Sequence, residues 1–183
     1  MPGDWKKLGA ETVGNFKIFE LQRERYLSPR TGEEVNATIV AAPDWVNIVP
    51  LTRAGECVMI RQFRFGTERM TLEIPGGMID PGESPLVAAQ RELREETGYV
   101  AERWTAIGRF APNPAFQRNY LHTFLAQGCE LGGGLALDPG EDIEVLQLTE
   151  AAIAAAIADG SIDHALVVIA FHALEVHRRT HAR

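Results

Sequence analysis

The stretch from Gly76 to Gly98 constrains this chain more than any other. Ser84 is a good helix N-cap, and Pro85 follows at the first helical position, where its missing N–H leaves no bond unmade. Gly98 is placed to end that helix, because glycine enters the left-handed C-cap conformation without a Cβ penalty. The spacing predicts a helix from Pro85 to about Glu96. Leu86, Ala89 and Leu93 recur at intervals of three and four, forming an apolar stripe expected to pack on a sheet. Glu92, Glu95 and Glu96 lie at i, i+3 and i+4 on a neighbouring face, and Arg91 reaches Glu95 at i+4. Like charges this close destabilise a helix by roughly 0.2–0.5 kcal/mol per pair. A hard divalent cation removes the conflict, since Mg²⁺ prefers oxygen ligands and bridges to phosphates. Taken alone, the helix favours a blander reading, a solvated acidic face with Arg91 as partial counterion. The preceding loop shifts the balance. Gly76-Gly77-Met78-Ile79-Asp80-Pro81-Gly82-Glu83 puts three glycines at a strand-to-helix junction, where backbone groups approach a metal or phosphate closely.

The rest of the chain reads as strands around that helix. Strand character runs from Phe16 to Tyr26, and Val35 to Ala41 returns after the Ser28–Gly32 turn. Val46 to Leu51 and Cys57 to Phe65 flank Arg53-Ala54-Gly55 as a second hairpin, and Met70 to Ile74 ends in Pro75-Gly76-Gly77. Further strands are expected at Trp104–Phe110, Tyr120–Ala126 and Ile143–Leu148, then helices near Glu150–Ala158 and Ile162–Val176. Mixed strands with interleaved helices argue for an α/β fold in α/β/α layers, and 183 residues suit one domain. We expect residues 1–43 to form an antiparallel strand pair that serves dimerisation, and 44–183 the core.

A net charge of −7 argues against a nucleic-acid partner, which needs clustered Lys and Arg. Cys57 and Cys129 form no CxxC pair, so zinc-finger and thioredoxin chemistry have no support. Met1 to Ala10 holds no apolar run, and no stretch approaches the roughly 18 apolar residues of a membrane span, so a cytoplasmic protein without a membrane partner is expected. His172, His177 and His181 do not share a helix face with a third ligand and are read as the polar end of an amphipathic helix.

Gly77, five residues, Glu83, seven residues, then Arg91-Glu92-Leu93-Arg94-Glu95-Glu96-Thr97-Gly98-Tyr99 resembles the Nudix box, G-x5-E-x7-R-E-U-x-E-E-x-G-U, over 23 residues. Tyr99 departs mildly from the aliphatic last position. The resemblance implies a loop–helix–loop within an α/β/α sandwich. It implies metal binding by Glu92 and Glu96, with Glu95 assisting and the Gly76 carbonyl as a further ligand. Arg91 and Glu83 are implied to orient the ligand carboxylates from behind. The implied cofactor is Mg²⁺, with Mn²⁺ able to substitute.

Pro114, 16 residues after Gly98, and the segment Gln62-Phe63-Arg64 through Asp80 look like the branch that cleaves ADP-ribose and nucleoside diphosphate sugars. The N-terminal strands are similar too, and in that branch they often exchange across a homodimer. The resemblance assigns Arg64 to the substrate diphosphate or base, against a plain strand-surface arginine. It assigns Met78 to the nucleoside, against core packing, and Pro114 to substrate selection, against a plain turn. Glu141, in Asp138-Pro139-Gly140-Glu141-Asp142, is the candidate metal ligand or general base in a loop that closes over the site. The alternatives are another nucleoside diphosphate derivative (a GDP-sugar, a dinucleoside polyphosphate, an oxidised nucleoside triphosphate) or a non-catalytic nucleotide sensor.

Overall fold

A computed structural model describes residues 3–137, 140 and 142–181. In chain order its elements are β1 (Lys6–Phe16), β2 (Phe19–Leu27), β3 (Glu34–Ala41), β4 (Trp45–Thr52), β5 (Cys57–Arg64), β6 (Arg69–Glu73), β7 (Gly76–Met78) and α1 (Pro85–Thr97). There follow β8 (Tyr99–Val100), β9 (Arg103–Phe110), β10 (Gln117–Arg118), β11 (Leu121–Leu131), β12 (Ile143–Leu148), α2 (Glu150–Ala158) and α3 (Ala165–His181). They divide into two compact units, one of residues 1–44 with 111–120, the other of 45–110 with 121–183.

The first unit is a four-stranded sheet in the order β1-β2-β3-β10. β1, β2 and β3 form an antiparallel meander, and β10 joins β3 in parallel, Gln117 beside Val40 and Arg118 beside Ala41. The expected antiparallel strand pair is β2 with β3, and β1 and β10 extend it on either side. β1 carries Gly9, Gly14 and mostly exposed side chains, so it has no apolar alternation to announce it. Its pairing comes from the tight turn that sets Phe16 opposite Phe19. β10 is a two-residue strand on a loop far away in sequence.

A polar cluster sits within this unit. Glu24 is fully buried and accepts from Lys7 Nζ and Tyr26 Oη at 2.5 Å each, and from Arg118 Nη2 at 2.8 Å on both oxygens. Burial by itself would raise this carboxyl, but the donors from Lys7, Tyr26 and Arg118 prevail and hold it down at about 2. Arg118 also donates to Gln22 Oε1 at 3.0 Å, tying the 111–120 segment to β2.

The second unit is an eight-stranded mixed sheet with the path β12-β5-β4-β11-β8, where β6 adds to β5, β7 to β4 and β9 to β11. β4 and β11 run parallel; the other pairs are antiparallel. Side chains alternate between the faces of a strand, and both faces here are covered. Val46, Ile48, Val58 and Phe124 pack with Ala88, Ala89 and Leu93 of α1. Val49, Met59 and Leu125 pack with Ile153 of α2, Ile162, and Val167 and Leu174 of α3. This unit is therefore an α/β/α sandwich, as the sequence predicts. Leu86 departs from the expected apolar stripe: it is 39% exposed, and Ala88 is buried in its stead. α3 starts at Ala165 rather than Ile162, because His164 caps it, its Nδ1 accepting from Leu166 N at 3.2 Å. Cys57 and Cys129 are buried free thiols, and burial pushes Cys129 up to about 12. Among the described residues no helix is long and apolar enough to cross a membrane.

Candidate active site

The site is built where β7 meets α1. β7 lies directly against β4, with Gly76 opposite Asn47 and Gly77 opposite Val46. A Cβ on Gly76 would sit 2.3 Å from the Val46 carbonyl oxygen and 2.8 Å from Asn47 Cα, so only glycine permits this approach. A Cβ on Gly77 would sit 2.3 Å from Glu92 Oε1. The two glycines thus make room on opposite sides, one for a strand and one for a carboxylate.

α1 has the caps expected of it. Ser84 Oγ accepts from Val87 N at 3.4 Å, and Gly98 is left-handed at φ 73° with its N–H on the Arg94 carbonyl. From this helix Glu92, Glu95 and Glu96 project toward the loop. Glu96 is 3% exposed and accepts the Gly76 N–H at 2.8 Å. Arg91 is the hub of the rest. It donates through Nε and Nη2 to the two oxygens of Glu83 at 3.1 and 3.0 Å, through Nη1 to Glu92 at 2.8 Å and Glu95 at 3.2 Å, and through Nη2 to the Met78 carbonyl at 3.0 Å. The Asp80 N–H adds a bond to Glu83 at 3.2 Å. Arg91 holds the Glu83 carboxyl below the usual range, and Glu83 above all holds the guanidinium charged.

Three carboxylates therefore bond one guanidinium, and with Glu96 on the neighbouring Gly76 N–H the group carries a formal excess of three negative charges. Among the described residues no three carboxylate, imidazole or thiolate groups converge as a ready-made metal cage, because these carboxylates turn to Arg91 and to the Gly76 N–H. The donor set still fits Mg²⁺. It is all oxygen and strongly negative, and Mg²⁺ is commonly held by one or two carboxylates plus substrate phosphates rather than by an all-protein cage.

The other predicted residues fall in different places. Arg64, on β5, donates through Nε and Nη2 to the two oxygens of Glu73, both at 2.7 Å. Glu73 is buried and also accepts from Thr71 Oγ1 at 2.6 Å. Burial would raise Glu73, but Arg64 and Thr71 bring it below its ordinary value, with His164 adding to the effect. The sequence reading missed Glu73. Its signal was the alternation of Thr71 and Glu73 on one face of a short strand. Met78 is 39% exposed, which rules out core packing for it. Pro114 belongs to the first unit, in a turn where Gln117 N donates to the Asn113 carbonyl at 2.8 Å. Glu141, with Asp138, lies outside the described residues. The loop leading toward it is anchored on α1: Gly132 N donates to the Gly98 carbonyl and Ala136 N to the Glu95 carbonyl, each at 2.9 Å.

Comparison with known proteins agrees with this arrangement. A family model described as the NUDIX domain matches residues 43–167. An ADP-ribose pyrophosphatase of Bacillus subtilis is 36% identical over 145 residues, 79% of this chain and 78% of that protein. A methanol dehydrogenase activator of Bacillus methanolicus is 32% identical with the same coverage, 79% and 78%. The crystal structure of an ADP compounds hydrolase has the same fold, with a TM-score of 0.85 at 24% identity over 98% of this chain and 97% of the other. With the family's domain model spanning residues 43–167 and its box laid out around Arg91, this chain belongs to the Nudix hydrolases.

Proposed function

We propose that this enzyme hydrolyses the pyrophosphate bond of ADP-ribose or a related nucleoside diphosphate sugar, giving a nucleoside monophosphate and a sugar phosphate. The observation that carries the reaction is the Arg91-centred group of Glu83, Glu92 and Glu95, next to the Glu96–Gly76 contact. The relatives named for ADP-ribose and ADP compounds support the substrate. In this reading Glu92, Glu96 and the Gly76 carbonyl hold Mg²⁺ or Mn²⁺, joined by Glu141. The bound ion supplies charge neutralisation at the diphosphate and a water of lowered pKa. Arg91 keeps Glu92 and Glu95 in place through charge-assisted bonds. Glu95 and Glu141 are the carboxylates we assign to take the proton as water oxygen bonds to phosphorus and the bridging P–O bond breaks. Arg64 and Met78 are assigned to the substrate side.

A panel of ADP-ribose, a GDP-sugar, a dinucleoside polyphosphate and an oxidised nucleoside triphosphate, each with Mg²⁺ and with Mn²⁺, tests this. The highest kcat/KM is expected for ADP-ribose, with AMP and ribose phosphate as products. Cleavage of nucleoside triphosphates alone would overturn the substrate while leaving the family intact.

We also read the protein as a homodimer. The first unit exposes Trp5 at 54%, Phe16 at 53%, Ile18 at 51% and Val35 at 41%, and β1 is the edge of its sheet. A second copy would cover both the apolar surface and the edge. Sedimentation at micromolar concentration should give twice the 20.2 kDa chain mass; a monomer there counts against it.

A further inference from the structure

We propose that Glu73 is a positioning residue for substrate binding, acting by holding the Arg64 guanidinium in one fixed orientation. The inference rests on the reading above in which Arg64 meets the substrate. Arg64, opposite Arg69, and Glu73, opposite Ile60, lie at alternate positions on one face of the β5–β6 hairpin, so the long Arg64 side chain reaches Glu73 diagonally, and each belongs to the second unit. The guanidinium is half in solvent, its side chain 42% exposed, whereas the carboxylate is 3% exposed. A half-exposed arginine normally samples many rotamers, and ordering it at a binding site costs entropy. Here the ordering is done before any ligand arrives. Two parallel N–H···O bonds of 2.7 Å fix both the position and the plane of the fork.

The carboxylate that fixes it is itself fixed. Thr71 Oγ1 donates to Glu73 Oε1 at 2.6 Å and lies 3.2 Å from the Gln62 carbonyl. His164 stands behind the other oxygen, with Nε2 4.0 Å from Glu73 Oε2. Because His164 Nδ1 accepts the Leu166 N–H, its ring proton sits on Nε2, the side facing Glu73. Glu73 lies three residues before Gly76, joined through Ile74, which is buried, and Pro75, whose carbonyl accepts the Ile48 N–H at 3.0 Å. A stiff stretch of backbone thus links the anchor of Arg64 to the glycine that holds Glu96. Arg64 turns two of the five N–H donors that any guanidinium carries toward Glu73. A guanidinium held in one plane is the group that suits planar recognition of phosphate oxygens.

The test is a double-mutant cycle in KM. Arg64→Gln should raise KM for ADP-ribose about tenfold, with kcat changed less than about threefold, the signature of a group that binds substrate and transition state alike. Glu73→Gln keeps shape and removes the anchoring charge, and should raise KM about three- to tenfold with the same small effect on kcat. The Arg64→Gln, Glu73→Gln double variant should be no worse in KM than Arg64→Gln alone, since Glu73 acts only through Arg64. A purely structural Glu73 would lower the active fraction, and so kcat, and would add to the Arg64 effect. Thr71→Val provides an independent arm if Glu73→Gln folds poorly: it loosens Glu73 while keeping a similar volume and should raise KM about two- to threefold. If Arg64→Gln leaves KM unchanged, the substrate role of Arg64 fails. If Arg64→Gln raises KM but Glu73→Gln and Thr71→Val do not, or if the effects multiply in the double variant, the positioning role fails while the reading of Arg64 stands.

Discussion

Glu96→Gln should fold normally and lose about a hundredfold or more in turnover, the scale on which a metal or acid–base contribution acts. The side chain is nearly inaccessible, and one of its oxygens accepts the Gly76 N–H. A glutamine oxygen can accept the same bond in the same volume, so packing and the β7–α1 contact survive. Charge is what disappears. A neutral amide is a weak ligand for a hard cation, and it no longer contributes to the negative excess around Arg91. Turnover should be measured at saturating Mg²⁺ beside a melting curve. A stable variant with near-normal turnover would remove Glu96 from the proposed metal site.

Alanine at Gly76 should destabilise the protein by about 2–4 kcal/mol, whereas alanine at Gly77 should act mainly on activity. The difference lies in what each new methyl group meets. At Gly76 the obstacles are Val46 O and Asn47 Cα, both backbone, so β7 must separate from β4 to admit it. Separation weakens a three-residue pairing and carries the Gly76 N–H away from Glu96. At Gly77 the obstacle is the carboxylate end of Glu92, which can rotate aside. The fold tolerates that movement; the proposed metal ligand does not. For a chain of this length each kcal/mol is worth roughly 2–4 °C in Tm. Gly76→Ala should therefore melt several degrees lower, and Gly77→Ala should stay near the native Tm with turnover well below it. Equal melting temperatures for the two would refute this account of the glycines.

One stretch of backbone, Thr71 to Met78, serves two anchors. One end anchors Arg64 through Glu73, and the other makes room for Glu92 and holds Glu96.

The features legible in the sequence are those set by neighbours a few residues apart. Ser84, Pro85 and Gly98 bound α1 because capping and left-handed backbone are local physics, and the observed helix ends within a residue of the expected limit. The grouping of Glu92, Glu95 and Glu96 follows from helical spacing, and the longer second-unit strands follow from their apolar runs, whereas the short β7 and β8 do not. Tertiary structure alone decided the rest. Leu86 was in the right phase for burial, yet sheet geometry covers Ala88 and leaves Leu86 half in solvent. β1 and β10 become strands only because β2 and β3 offer them edges, and β10 is separated from its partner by more than seventy residues. The buried Glu24 cluster depends on that same distant pairing, through Arg118. Arg91 bonding to four groups, Arg64 committed to Glu73, and glycines that are required for the space they leave are facts of approach between segments. No local preference encodes such an approach, because its energy exists only once the sheet has set which backbone lies against which.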